Sequence, residues 1–159
     1  MKLYVMRHGP AEDHAATGRD QDRSLTPPGR DRVRTVVRIL ECEGEMPARV
    51  LSSPLVRAVQ TAELVAVKDN LPVEIRAELA PGGRAPELVH QLRDSGGKRV
   101  VLVGHEPDLT GLIELLLQAA LPVPMDKAMV VALHLGKEPP AKLRFVVEPR
   151  AGELVHDAR

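Results

Sequence analysis

Three apolar runs in this chain end in the same way, each passing directly into cationic or imidazole side chains, and that repetition constrains the fold more than any other feature. Leu3-Tyr4-Val5-Met6 leads into Arg7-His8-Gly9, Arg49-Val50-Leu51-Ser52-Ser53-Pro54 leads into Arg57, and Arg99-Val100-Val101-Leu102-Val103-Gly104 leads into His105. Short apolar runs rich in valine and bounded by Gly, Pro and Ser read as strands. Where such strands alternate with helices, ligands bind outside the carboxyl ends of the strands. The pattern therefore predicts that Arg7, His8, Arg57 and His105 share one rim of a sheet.

The intervening segments supply the helices. Thr26-Pro27-Pro28-Gly29 places an N-cap before prolines of a first turn, and Val33, Val36, Val37 and Leu40 then recur at helical spacing, giving a helix over about 27–42. Ser53-Pro54 repeats that signal and predicts a second helix with Arg57 in its first turn. A short strand near Val73 to Ile75, a Pro-Gly-Gly turn and a third helix carrying Leu88, Val89 and Leu92 follow, and Ser95-Gly96-Gly97 closes that helix. Asp108 opens a fourth helix through about Gln118, with a broad apolar face.

Residues 128–135 and 141–147 predict two further strands forming a hairpin at one side of the sheet. The expected fold is α/β, a three-layer α/β/α sandwich with a mainly parallel sheet and an antiparallel element from the C-terminal strands. Residues 10–25 form the one long irregular segment, and a loop of that length beside a candidate site is often part of it.

The 159 residues, 43% hydrophobic, predict one domain spanning 1–159. With one Tyr, one Phe, no Trp and a formal net charge of zero, the chain offers neither base-stacking surfaces nor overall attraction to a polyanion, so nucleic acid is not an expected partner. The single Cys42 excludes an internal disulfide and a multi-cysteine metal site. No run is long enough to span a membrane and no leader segment is recognisable, so a cytoplasmic protein is expected.

Two arginines and two histidines on one rim suit a doubly charged tetrahedral oxyanion, because guanidinium forks match phosphate geometry and tolerate burial. A metal site would want acidic ligands beside the histidines, so neither a metal nor an organic cofactor is expected. No P-loop or Gly-x-Gly-x-x-Gly pattern follows a strand. An imidazole in such a pocket can attack phosphorus while the surrounding cations stabilise the equatorial oxygens. Gly9 beside it is expected to let the backbone approach the phosphoryl group.

Arg7-His8-Gly9, the stretch from Ser52 to Ala62, and Val103-Gly104-His105-Glu106 resemble, in order, the three signature segments of the histidine phosphatase superfamily, which also contains the cofactor-dependent phosphoglycerate mutases. Within it the chain is most similar to the short SixA-like phosphohistidine phosphatases, through its length, its Arg23-Ser24-Leu25-Thr26 segment and its Glu78-Leu79-Ala80-Pro81 turn. The resemblance implies that His8 is transiently phosphorylated, that Arg7, Arg57 and a cationic His105 bind the phosphoryl oxygens, and that Arg23 adds a contact. It also implies a phosphohistidine substrate on a signalling protein such as a histidine phosphotransfer domain.

Mutases and many related phosphatases carry a general acid on a longer insertion for which this chain has no room, and Glu78 is the nearest candidate. Without such an acid, stable alkyl phosphates should react slowly, whereas a labile P–N bond needs less help. Two alternatives stand beside this expectation: a phosphatase for small-molecule phosphate esters, and a non-catalytic phosphate-binding or interaction module. Glu106 is explained either by orienting His105 or by the helix dipole. His14, His90, His134 and His156 have no partner motif and are assigned no role.

Overall fold

The computed structural model describes residues 1–150 and the strand at 153–155. Its elements follow the chain as β1 (Lys2–Arg7), α1 (Pro27–Cys42), β2 (Arg49–Ser52), α2 (Val56–Ala66), β3 (Val73–Ile75), α3 (Ala85–Asp94), β4 (Arg99–Gly104), α4 (Asp108–Leu117), β5 (Val130–His134), β6 (Lys142–Glu148) and β7 (Glu153–Val155). The strands form one sheet in the order β3-β2-β4-β1-β5-β6-β7. The β3, β2, β4 and β1 strands run parallel, and β5, β6 and β7 are added antiparallel beyond β1. The expected α/β/α layering and the antiparallel C-terminal element are both present, with β7 as an additional edge strand.

Side-chain alternation divides the sheet into two cores. In β1, Leu3 and Val5 face one side with Val100 and Leu102 of β4, packed against Leu88 and Leu92 of α3 and Leu109, Leu112 and Ile113 of α4. Tyr4 and Met6 face the other with Val101 and Val103, against Val33, Val36 and Leu40 of α1 and Ala58, Ala62 and Val65 of α2. A period-two strand buried on both faces must be apolar throughout, which is why these runs read so clearly in the sequence. Each fully buried aliphatic side chain contributes about 1.5–3 kcal/mol relative to exposure, so the central strands are the most firmly held part of the molecule. Among the described residues, no helix is long and apolar enough to cross a membrane.

Two local details differ from the expectation. Helix α2 begins at Val56 with Leu55 as its N-cap, two residues later than the Ser53-Pro54 signal implies. Ser53 instead takes the Leu55 amide on its Oγ at 3.1 Å, turning the chain before the helix starts. Helix α1 begins as expected, with Thr26 Oγ1 accepting the Gly29 amide at 2.9 Å.

The second detail concerns Gly9. A Cβ there would lie 2.7 Å from Val33 Cγ2 and 3.2 Å from the Gly29 carbonyl, so the missing side chain is needed for the close approach of this loop to α1. Its amide donates to Thr61 Oγ1 at 3.0 Å and is therefore committed. Gly9 is thus a packing residue in this structure rather than a backbone donor toward a ligand. Gly9→Ala is expected to cost about 1–3 kcal/mol by overpacking, measured as a lowered midpoint in urea unfolding with an unchanged m-value.

Candidate active site

The carboxyl ends of β1, β2 and β4 are held in register by the sheet. Arg7 pairs with Gly104 across β1 and β4, and Ser52 pairs with Val103 across β2 and β4. The ladder continues one residue past β1, where the His8 amide donates to the Gly104 carbonyl at 3.2 Å and the His8 carbonyl accepts from the Ala128 amide at 3.0 Å. The backbone under His8 is therefore fixed by its neighbours on both sides. Helix α2 is tied to the same point: Thr61 Oγ1 accepts from Gly9 while donating to the Arg57 carbonyl at 2.8 Å.

His8, Arg57 and His105 are all buried, at 7%, 6% and 5% exposure, in a class of side chains that is seldom buried without partners. The two imidazole rings face each other with centroids 5.2 Å apart, tilted by 50°. His8 Nδ1 lies 2.7 Å from the Gly9 carbonyl. A carbonyl can only accept, so Nδ1 carries the proton and Nε2 is left with its lone pair. His105 Nε2 lies 2.7 Å from Ser53 Oγ, so the serine that turns the chain before α2 also orients this ring.

Burial first, then the neighbouring His105 and the charges of Arg57 and Arg7, together lower the pKa of His8 from 6.5 to about 4, against the raising effect of the Gly9 bond. His105 is likewise lowered to about 4, first by burial and then by Arg57, with Asp20 and Asp108 opposing. Both rings are therefore neutral at pH 7 in the ligand-free protein; the cationic His105 implied by the resemblance belongs to the phosphoryl-bound state. A dianion beside it would favour the protonated form.

The unfolded histidines bind protons below about 6.5 and the folded ones only near 4, so folding stability is intact above 6.5 and declines as the pH falls from there toward 4. The two imidazoles are expected to titrate as a coupled pair near 4 in NMR spectra. Titration of either near 6.5 would contradict this account of their burial.

Arg57 is held by a residue that the sequence did not single out. Its guanidinium donates to the Asp20 carbonyl at 3.0 Å and to Asp20 Oδ2 at 3.2 Å. Arg23 donates through Nε to Asp20 Oδ1 at 3.0 Å and through a terminal nitrogen to the Glu12 carbonyl at 2.9 Å. Asp20 thus bridges the two arginines; burial would raise its carboxyl, but Arg57 and Arg23 hold it below its usual range. Arg23 reaches the site through Asp20, at the edge of the 10–25 loop. Arg7 donates to the Met125 carbonyl at 2.9 Å.

Three buried nitrogens at this rim, Arg7 Nε, Arg57 Nε and His105 Nδ1, make no hydrogen bond among the described residues. Native structures rarely leave buried polar atoms unsatisfied, so three converging on one place point to a polar ligand.

Glu78 is paired outside this group of side chains. Its carboxylate is gripped by Arg76, at 2.9 and 3.2 Å, and that pairing lowers its pKa. It is held ionised, which is the wrong state for donating a proton. Glu106 accepts from the Thr110 amide at 2.9 Å and from the Thr110 hydroxyl at 2.5 Å, so it serves the start of α4 rather than His105. His14, His90 and His134 are not among the groups gathered here, and His156 lies outside the described residues.

Comparison with known proteins gives the same answer from an independent direction. Residues 3–81 match the histidine phosphatase superfamily (branch 1). The chain is 35% identical over 142 residues to an uncharacterized protein of Picosynechococcus sp., covering 86% of each. It is 29% identical over 154 residues to the phosphohistidine phosphatase SixA of Escherichia coli, covering 94% of each. A solved structure of the protein histidine phosphatase SixA complexed with tungstate superposes with a TM-score of 0.87 at 28% identity, over 96% of this chain and all of that one. The chain belongs to the histidine phosphatase superfamily and is a SixA-like phosphatase, an enzyme for phosphorylated substrates.

Proposed function

We propose that this enzyme removes the phosphoryl group from a phosphorylated histidine of a protein, such as a histidine phosphotransfer domain, through a phosphohistidine intermediate on His8. The observation that carries the proposal is the free Nε2 of His8, with the ring proton held on Nδ1 by the Gly9 carbonyl, among buried nitrogens of Arg7, Arg57 and His105 that lack partners among the described residues. Nε2 attacks phosphorus and the bond to the substrate's imidazole nitrogen breaks, that nitrogen taking a proton from solvent. Water then attacks the phosphorus on His8, releasing inorganic phosphate and restoring the imidazole. Arg7, Arg57 and His105 stabilise the equatorial oxygens in both steps.

The choice of phosphohistidine over a stable ester is supported by Glu78. With that carboxylate ionised and held by Arg76, the proposal assigns no general acid, and a substrate whose leaving group needs little acid assistance is favoured. The likeness to the phosphohistidine phosphatase SixA points the same way. A place in cytoplasmic signal transduction belongs to the same proposal, since a phosphotransfer domain is a signalling component. Small phosphate esters are the alternative substrate class.

The test is a comparison of kcat/KM for a phosphorylated histidine phosphotransfer domain and for a panel of sugar phosphates. The proposal expects the phosphorylated domain to be preferred by about 100-fold or more, the scale on which one missing transition-state contact operates. Faster hydrolysis of the sugar phosphates would overturn the substrate assignment.

A further inference from the structure

Arg7 belongs to the rim described above, yet it also lines a second cavity of about 240 Å³, whose other walls are Pro10, Arg32, Asp126, Lys127 and Arg150. None of His8, Arg57 or His105 lines it. Three separate segments build it around the end of β1: Arg32 projects from α1, Asp126 and Lys127 lie on the loop entering β5, and Arg150 follows β6. The β5–β6 register, with Val130 opposite Val147, brings the last two segments together.

The charges in this cavity are unbalanced. Four cationic side chains face it with one carboxylate, Asp126, in a chain whose 22 basic and 22 acidic residues cancel overall. Arg49, Arg57, Arg76 and Arg144 each sit against a carboxylate. Among the described residues, Arg32, Lys127 and Arg150 do not, and Arg32 is partly buried beside Pro10. Like charges gathered beside a single carboxylate repel one another and raise the local potential, which attracts anions.

We propose that this cavity is a second anion subsite, which receives a carboxylate side chain of the substrate polypeptide while the phosphoryl group is held at His8. The identity of the incoming anion rests on the phosphohistidine substrate proposed above; the existence of the subsite does not. Arg7 is the shared wall, bonded to the Met125 carbonyl on the loop that carries Lys127, so one guanidinium borders both anions. The subsite selects acidic sequence beside the phosphohistidine and adds nothing for a substrate too small to reach it.

Two measurements test this with Arg32→Glu/Lys127→Glu and with the milder Arg32→Gln/Lys127→Gln. In the first, binding of methylphosphonate and of ω-carboxyalkylphosphonates of increasing length is measured by calorimetry. One chain length is expected to bind the unmodified protein at least about tenfold more tightly than methylphosphonate, and both variants are expected to lose that gain while binding methylphosphonate as before. A flat series, or a gain retained in the variants, would overturn the subsite.

In the second, phosphohistidine peptides with and without flanking glutamates are compared with phosphoramidate. A tenfold KM advantage for the acidic peptide, lost in the variants with phosphoramidate hydrolysis unchanged, supports the carboxylate assignment. A series of α,ω-bisphosphonates that outcompetes the carboxyalkylphosphonates, with no preference between peptides, would overturn that assignment in favour of a second phosphoryl group. If neither peptide is hydrolysed, the phosphohistidine substrate fails, while the phosphonate series still decides the subsite.

Discussion

Replacing His8 with alanine is expected to lower kcat by about 10⁴-fold or more, while inorganic phosphate and tungstate still bind within a few-fold of the unmodified protein. Removal of an attacking group that acts as a unit with its neighbours costs on this scale. Binding should survive because the clamp is built elsewhere. Arg57 is positioned by Asp20 and by α2, and His105 by Ser53. The backbone at position 8 is pinned by its bonds with Gly104 and Ala128, which need no side chain. Calorimetric titration with tungstate beside single-turnover kinetics separates the two effects. Activity above a tenth of normal in His8→Ala would contradict the assignment of the nucleophile, and complete loss of anion binding would contradict the separation of clamp from nucleophile.

Arg57→Ala should behave differently, weakening binding and turnover together. Its guanidinium is buried at 6% exposure, and truncating a buried charged donor of this kind costs about 2–5 kcal/mol. That corresponds to a loss of roughly 30-fold to 5,000-fold in kcat/KM for a group aimed at developing negative charge. Part of the loss is indirect, because the Asp20 carboxylate is left with Arg23 alone. Arg57→Lys is expected to recover only a small part, since an ammonium restores the charge but not the fork that contacts both the Asp20 carboxylate and its carbonyl. Normal tungstate affinity in Arg57→Ala would show that this side chain is an internal brace for the 10–25 loop and not a ligand-binding group.

The sequence made the rim legible because strands buried on both faces leave an unmistakable mark. Apolar β1 and β4 are followed without interruption by His8 and His105, and the sheet register converts that sequence position into spatial proximity. Loops leave no such mark. Asp20 sits in a stretch of mixed Arg and Asp where any carboxylate could face solvent, and its role follows only from the path by which residues 10–25 return to α1. The part played by Ser53 was concealed by its resemblance to an N-cap: that position falls at Leu55, which offers no side-chain cap bond, while the serine hydroxyl takes the Leu55 amide and meets His105.

Gly9 and Glu78 illustrate a second limit. A glycine beside a catalytic histidine suggests close approach to a ligand, yet the contact that forbids a side chain is with Val33 and Gly29 on α1. An acidic residue after β3 suggests an acid at the rim, yet Arg76, two residues earlier, captures it. Residue type and neighbourhood narrowed the possibilities in both cases, and the direction of a side chain or of the space around it decided between them. The low pKa of both histidines was equally invisible, because it arises from burial among cations drawn from three strands' ends.

The most direct measurement of the whole account is the site and atom of phosphorylation. Rapid quenching of the enzyme with a labelled phosphoramidate, followed by base-stable digestion and NMR of the labelled peptide, should place acid-labile phosphate on Nε2 of His8, because Nδ1 donates to the Gly9 carbonyl. Phosphate on Nδ1 of His8, on His105 or on any other residue, or turnover with no labelled intermediate under conditions where the second step is slow, would contradict it.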